Sequence, residues 1–198
     1  MGIGKMKEDR KAVFLDRDGV LNRLVWNPLT RAFESPLRPE DLVLCDDIID
    51  PLKRARAAGY MLFIVSNQPN YAKGKTTLES ISEIAENCLN DLNRGGIPID
   101  RAYYCLHHPE GIIREYSFQC VCRKPEPFFL LQAQKDYQLN LRESWMIGDR
   151  DSDVECGRRA GCLTVLIENP QSAQYQGESH PDYVAKDVSD AVSYILHS

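Results

Sequence analysis

Asp16 and Asp18, in the stretch Ala12-Val-Phe-Leu-Asp-Arg-Asp-Gly-Val20, are two carboxylates one residue apart at the end of an apolar run. Alternate residues of an extended segment point the same way, so the pair can converge on one point, and Gly19 lets the backbone turn sharply behind them. Two acids so placed need a cation or a shared proton. A carboxylate can attack phosphorus and form an aspartyl-phosphate, while a second acid protonates the leaving alkoxide and later deprotonates the attacking water. Taken alone, Asp-x-Asp-Gly is as consistent with a turn after a strand. The two readings are separated by whether later apolar runs also end in polar residues, as active-site residues of parallel sheets do.

They do. Tyr60 to Val65 runs into Ser66-Asn67-Gln68, and Trp145-Met-Ile147 runs into Gly148-Asp149-Arg150-Asp151-Ser152-Asp153. Asp149 adds a third carboxylate, and three acids at strand ends suit a hard divalent cation with oxygen ligands such as Mg2+. Ser66 supplies a hydroxyl and Lys124 a fixed positive charge, so the set can bind and neutralise a phosphoryl group. No Walker loop or Gly-x-Gly-x-x-Gly pattern is present, which argues against a nucleotide as the phosphate source. Asp151 is read as the cap of the following helix; Asp153 either caps it or supports Asp149.

These residues need a scaffold that brings strand ends to one edge. Continuous apolar runs at 12–15, 60–65, 102–106, 145–147 and 163–167 read as buried strands. Helical patterns separate them: one starting at Asp50-Pro51 and ending before Gly59, one capped by Thr76 with Glu79 and carrying Leu78, Ile81, Ala85, Cys88, Leu89 and Leu92, one over 126–138, and one over about 152–160 closed by Gly161. A short strand at 183–185 and a terminal amphipathic helix complete the chain. The fold class predicted is α/β, a Rossmann-like parallel sheet with helices on both faces. Residues 20–40 show neither period and are read as a long lid loop over Asp16 and Asp18.

Length and composition set outer bounds. The 198 residues allow one sizeable core, so 1–198 is expected to be one domain, with no room for a large cap domain. A net charge of -5 gives no electrostatic reason to expect nucleic acid or an anionic membrane, which leaves a small molecule as the expected partner of a monomer. Met1 to Lys11 is polar, and no apolar run is long enough to span a bilayer, so a cytosolic (cytoplasmic) location is expected. In a reducing compartment seven cysteines read as thiols or metal ligands rather than a disulfide framework. Cys105-Leu-His107 and Cys120-Val-Cys122 form a Cys3His set across the 105–122 loop, suited to structural Zn2+, with His108 a bystander and Cys45, Cys88, Cys156 and Cys162 core or inert.

The four segments Phe14-Leu-Asp16-Arg-Asp18-Gly19, Val65-Ser66-Asn67, Lys124-Pro125 and Gly148-Asp149-Arg-Asp-Ser-Asp153 resemble, in order and placement, the motifs of the haloacid dehalogenase superfamily. The resemblance covers about residues 12–196. It implies Asp16 as nucleophile, Asp18 as general acid/base and a metal ligand through its carbonyl, Ser66 and Lys124 on the phosphoryl group, and Asp149 on Mg2+. The zinc loop is similar to that of the compact D-glycero-D-manno-heptose-1,7-bisphosphate phosphatases, enzymes of nucleotide-sugar and lipopolysaccharide synthesis, and to the related histidinol-phosphate phosphatase domains. By that likeness Arg123 and the lid segment Leu24, Val25, Trp26 and Asn27 contact substrate, and Asn67, Gln68 and Arg150 are counted on the substrate side. The chain departs from the heptose enzymes at Pro69-Asn70, where they commonly carry Ser/Thr-Gly, and at Trp26-Asn27-Pro28. A zinc-stabilised binding module without catalysis is the reading from another class, and it should lack one of the three acids.

Overall fold

A computed structural model describes residues 10–198; most of the polar segment Met1 to Lys11 lies outside them. Six strands form one wholly parallel sheet in the order β5-β4-β1-β6-β7-β8. They are β1 (Ala12–Leu15), β4 (Met61–Asn67), β5 (Arg101–Cys105), β6 (Trp145–Gly148), β7 (Leu163–Ile167) and β8 (Tyr183–Ala185). The helices are α1 (Ile49–Ala57), α2 (Leu78–Arg94), α3 (Phe128–Tyr137), α4 (Asp151–Ala160) and α5 (Val188–His197).

The alternation of β1 divides the core in two. Val13 and Leu15 join Leu62, Ile64, Trp145 and Ile147 in a cluster with residues of α1, α2 and α5. Ala12 and Phe14 face the other way, into a cluster with Phe63, Val65 and Met146 and with residues of α3 and α4. Both faces are covered, which is why these strands read as uninterrupted apolar runs. Among the described residues no helix is long and apolar enough to cross a membrane.

The structure corrects the sequence reading in several places. Residues 20–40 are not structureless: β2 (Val25–Asn27) and β3 (Ala32–Glu34) form an antiparallel hairpin with Trp26 edge-on to Phe33 at 5.2 Å between centroids. The cap of α2 is Thr77, whose hydroxyl accepts from the Ser80 amide, while Thr76 donates to the Leu37 carbonyl. Helix α1 begins at Ile49, ahead of Asp50-Pro51. Strand β4 continues through Ser66 and Asn67, so these two alternate faces within the sheet. Asp151 does not cap α4; its carboxylate accepts from Gly177, Glu178 and Ser179, and Asp153 receives the Arg150 amide at 3.0 Å.

Candidate active site and metal centres

The C-terminal ends of β1, β4 and β6 bring Asp16, Ser66, Asn67 and Asp149 to one edge of the sheet, where parallel sheets place their ligand sites. Asp16 continues the Ala12, Phe14 face, and Asn67 the Phe63, Val65 face of β4. Asn67 grips the Lys124 backbone in both directions, accepting its amide at 3.0 Å and donating to its carbonyl at 3.1 Å. The Lys124 ammonium meets Asp16 at 2.8 Å, Asp153 at 2.6 Å and the Val65 carbonyl at 2.7 Å. All three of its protons are thereby directed. Burial works against charge here, but the Asp153 and Asp16 carboxylates outweigh it and hold the ammonium well above its ordinary value. Burial likewise opposes ionisation of Asp16, and Lys124 overcomes it, so its carboxyl stays below the usual range.

Asp149 has the opposite environment. It has no exposed surface, and neither carboxylate oxygen has a hydrogen-bond partner among the described residues. Burial, then repulsion from Asp16 and Asp153, pushes its carboxyl up to about 8. Gly19, at φ 87°, packs so close that a Cβ there would lie 2.2 Å from the Asp149 carboxylate, and a Cβ on Gly148 would lie 2.1 Å from Asp153. One oxygen each from Asp16, Asp149 and Asp153 falls within 4.8 Å of the others. A buried carboxylate with no hydrogen bond, only a 3.9 Å approach from Arg150, beside two more acids fits a hard cation.

A pH dependence follows. The folded Asp149 binds its proton far above the ordinary 3.8, so its contribution to stability is present at low pH and lost as pH rises through about 8. The Mg2+-free protein is therefore expected to melt at progressively lower temperature between pH 5 and about 8 from this group, and added Mg2+ should reverse the loss most at the alkaline end. Thermal melts across that range with and without Mg2+ check this; an unchanged or opposite slope contradicts it.

Asp18 sits apart from that cluster. Its carboxylate accepts from Arg17, from Asn22 at 3.0 Å and from Gln68 at 2.5 Å. Ser66 is buried and receives the Gln68 amide at 3.0 Å. Asp16, Asp18, Asn67, Arg123, Lys124 and Arg150 border an open cleft of about 110 Å³, together with Asp153, Lys73, Lys75 and Tyr175. The hairpin contributes Phe33 and Glu34, and the chain then adds Ser35.

Leu24, Val25, Trp26 and Asn27, expected at the substrate, are not among the residues that line this cleft. Leu24 is buried, and Val25 to Asn27 border an adjoining groove that shares Glu34, Ser35 and Lys75 with it. Of the hairpin, it is the β3 residues Phe33 and Glu34 that border the cleft. Gln68 and Ser66 also stay out of the lining; Gln68 instead bridges Arg17, Asp18 and Ser66. The residues the sequence reading missed are Lys73, Lys75, Phe33, Ser35 and Tyr175. Lys73 and Lys75 had a signal, as cations in the loop that directly follows Ser66-Asn67; Tyr175, stacked 4.3 Å under Arg150, had none.

Behind the cleft Cys105, His107, Cys120 and Cys122 come together. Cys105 and Cys120 sulfurs are 3.5 Å apart, Cys120 and Cys122 3.4 Å, and His107 Nδ1 is 3.5 Å from Cys122 and 3.8 Å from Cys105. A tetrahedral Zn2+ with ordinary bond lengths needs edges of ~3.5 to 3.8 Å, so the set fits. His108 is not in it and accepts from the Glu110 amide. Arg123, next after Cys122, donates to the His107 carbonyl at 3.3 Å.

Comparison with known proteins agrees with this geometry. The HAD-hydrolase-like family model matches residues 121–191. A D-glycero-alpha-D-manno-heptose-1,7-bisphosphate 7-phosphatase of Photorhabdus laumondii is 36% identical, covering 82% of this chain and 86% of its own length. A D-glycero-beta-D-manno-heptose-1,7-bisphosphate 7-phosphatase of Yersinia pestis is 31% identical, over 93% of this chain and 95% of its own. The crystal structure of D,D-heptose 1,7-bisphosphate phosphatase from B. bronchiseptica with magnesium and phosphate superposes with a TM-score of 0.77 at 23% identity, covering 94% of this chain and 98% of that one, which establishes a shared fold.

Proposed function

The chain belongs to the family of D-glycero-D-manno-heptose-1,7-bisphosphate 7-phosphatases within the HAD-like hydrolases, and we propose that it removes the 7-phosphate of a D-glycero-D-manno-heptose 1,7-bisphosphate as a single catalytic unit. The observation that carries the bisphosphate is the charge of the cleft. Lys73 and Arg123 border it, and neither has a carboxylate within ion-pair distance among the described residues. Burial and the nearby Lys75 and Arg123 charges lower the Lys73 pKa, and burial lowers that of Arg123. Two partly buried cations with no anion of their own, beside a phosphoryl site that Lys124 already serves, suit a second phosphate.

Asp16 is the nucleophile: it attacks phosphorus, the ester oxygen departs with a proton from Asp18, and an aspartyl-phosphate forms. Asp18 then takes a proton from water, the hydroxide attacks phosphorus, and the Asp16–phosphorus bond breaks to release phosphate. Lys124 and Ser66 hold the phosphoryl oxygens, and Lys124 keeps Asp16 ionised. Asp16, Asp149 and the Asp18 carbonyl would hold Mg2+, which supplies positive charge against the phosphoryl oxygens.

The partners of Glu34 speak against histidinol phosphate. Between Val20 and Pro39 it is the one acid open to a cationic amine, and it is already taken by Lys75 at 2.7 Å, Thr30 at 2.8 Å and Asn27 at 3.1 Å. The relatives act on both anomers, so the test is a panel of the two heptose bisphosphates, histidinol phosphate and sugar monophosphates; preference for either of the latter two classes contradicts the reading. Replacing Arg123 or Lys73 by Ala is expected to raise KM for the bisphosphate by about 10- to 100-fold, the worth of one hydrogen bond to a charged group, and to leave KM for a monophosphate within about threefold. Equal effects on both would remove the second-phosphate site.

A further inference from the structure

Arg17 lies between the two catalytic acids yet has no exposed surface, because it continues the Val13, Leu15 face of β1 and turns into the sheet side lined by α2. Its guanidinium meets Asp18 through Nε at 3.2 Å and Nη2 at 3.0 and 3.1 Å, and Nη2 also donates to the Gln68 side-chain oxygen at 2.8 Å. A guanidinium has no acceptor, so the Gln68 amide can face it only with its oxygen. The other end of that amide is then its NH2, which donates to Asp18 at 2.5 Å and to the Ser66 hydroxyl at 3.0 Å. With its oxygen receiving Gln68, Ser66 keeps its own proton free to donate.

We propose that Arg17 and Gln68 are positioning residues that form a one-directional hydrogen-bond chain, which fixes Ser66 as a donor to the phosphoryl group and steadies Asp18 beside it. The proposal rests on the phosphatase reading, where Ser66 binds a phosphoryl oxygen. Asp18 marks the second branch of the chain, and Asn22 on its other oxygen keeps it placed when Gln68 is changed. Arg17 never meets the substrate; it acts because a donor-only group at one end leaves the amide a single orientation. A structural role alone would make Gln68 a neutral packing residue, replaceable by any side chain of its shape.

The test is a double-mutant cycle between Gln68→Met and Ser66→Ala, read as the affinity of the Mg2+-loaded protein for inorganic phosphate by isothermal titration calorimetry. Each single change is expected to weaken phosphate by about tenfold, the worth of one charge-assisted hydrogen bond, and the double variant by no more than about twice the Ser66→Ala loss. Multiplied losses of about a hundredfold, or unchanged affinity in Gln68→Met, would overturn the chain. Gln68→Asn, whose shorter arm misses both partners, serves in the same cycle if Gln68→Met does not fold. Hydrolysis of p-nitrophenyl phosphate by the wild type is measured alongside: its absence would remove the phosphatase reading, whereas turnover with multiplied losses removes only the chain.

Discussion

Asp16→Asn is expected to lose turnover by about 10³-fold or more while the protein keeps its fold. The amide is nearly the shape of the carboxylate and cannot form the acyl phosphate. The variant should therefore fail to gain the mass of a phosphoryl group when the reaction is quenched in acid, whereas the wild type gains it. Turnover near that of the wild type would remove the covalent mechanism. The same substitution is expected to lower the melting temperature of the Mg2+-free protein, because Lys124 at 2.8 Å holds the folded Asp16 carboxyl below its ordinary value, so that its charge contributes stability at neutral pH. Three buried acids share one end of the sheet, and Asp149 there has no hydrogen-bond partner among the described residues. Removing a charge at Asp16 also relieves Asp149 of a neighbour that raises its pKa, and Lys124 keeps Asp153 at 2.6 Å and the Val65 carbonyl at 2.7 Å, so the loss is partial.

What could be read from the chain alone follows from how many faces each element covers. Strands β1, β4, β6 and β7 are buried on both faces and appear as apolar runs, so the sheet and the edge carrying Asp16, Asp149 and Lys124 were legible. The hairpin of β2 and β3 was not. Its strands have three residues each, none of them fully buried, too short and too open to establish a period. The cap of α2 slipped by one residue because Thr76 and Thr77 are chemically alike, and only the backbone decides which hydroxyl meets a helical amide. Arg17 was silent for a different reason. A charged residue flanked by two acids reads as solvent-facing, and its burial depends on the strand alternation carrying past Leu15.

Loss of zinc is expected to separate recognition of the far phosphate from chemistry at the near one. Cys122→Ser, checked by metal analysis, should reduce bound zinc and raise KM for the bisphosphate by about tenfold or more, since Arg123 would lose one charge-assisted contact to it. The kcat for p-nitrophenyl phosphate should fall by less than about threefold, because the two neighbouring cations are held differently. Lys124 has anchors independent of the metal: Asn67 holds its backbone from both sides, and Asp16, Asp153 and Val65 hold its ammonium. Arg123 has the carbonyl of His107, whose ring belongs to the ligand set, and no carboxylate partner among the described residues. Because the cluster also joins the end of β5 to the segment leading into α3, the variant should melt at lower temperature as well, metal affinity being folding free energy in such sites. Equal losses in kcat on both substrates with KM unchanged would show that the ion supports Lys124 instead, and wild-type protein without stoichiometric zinc would remove the structural centre.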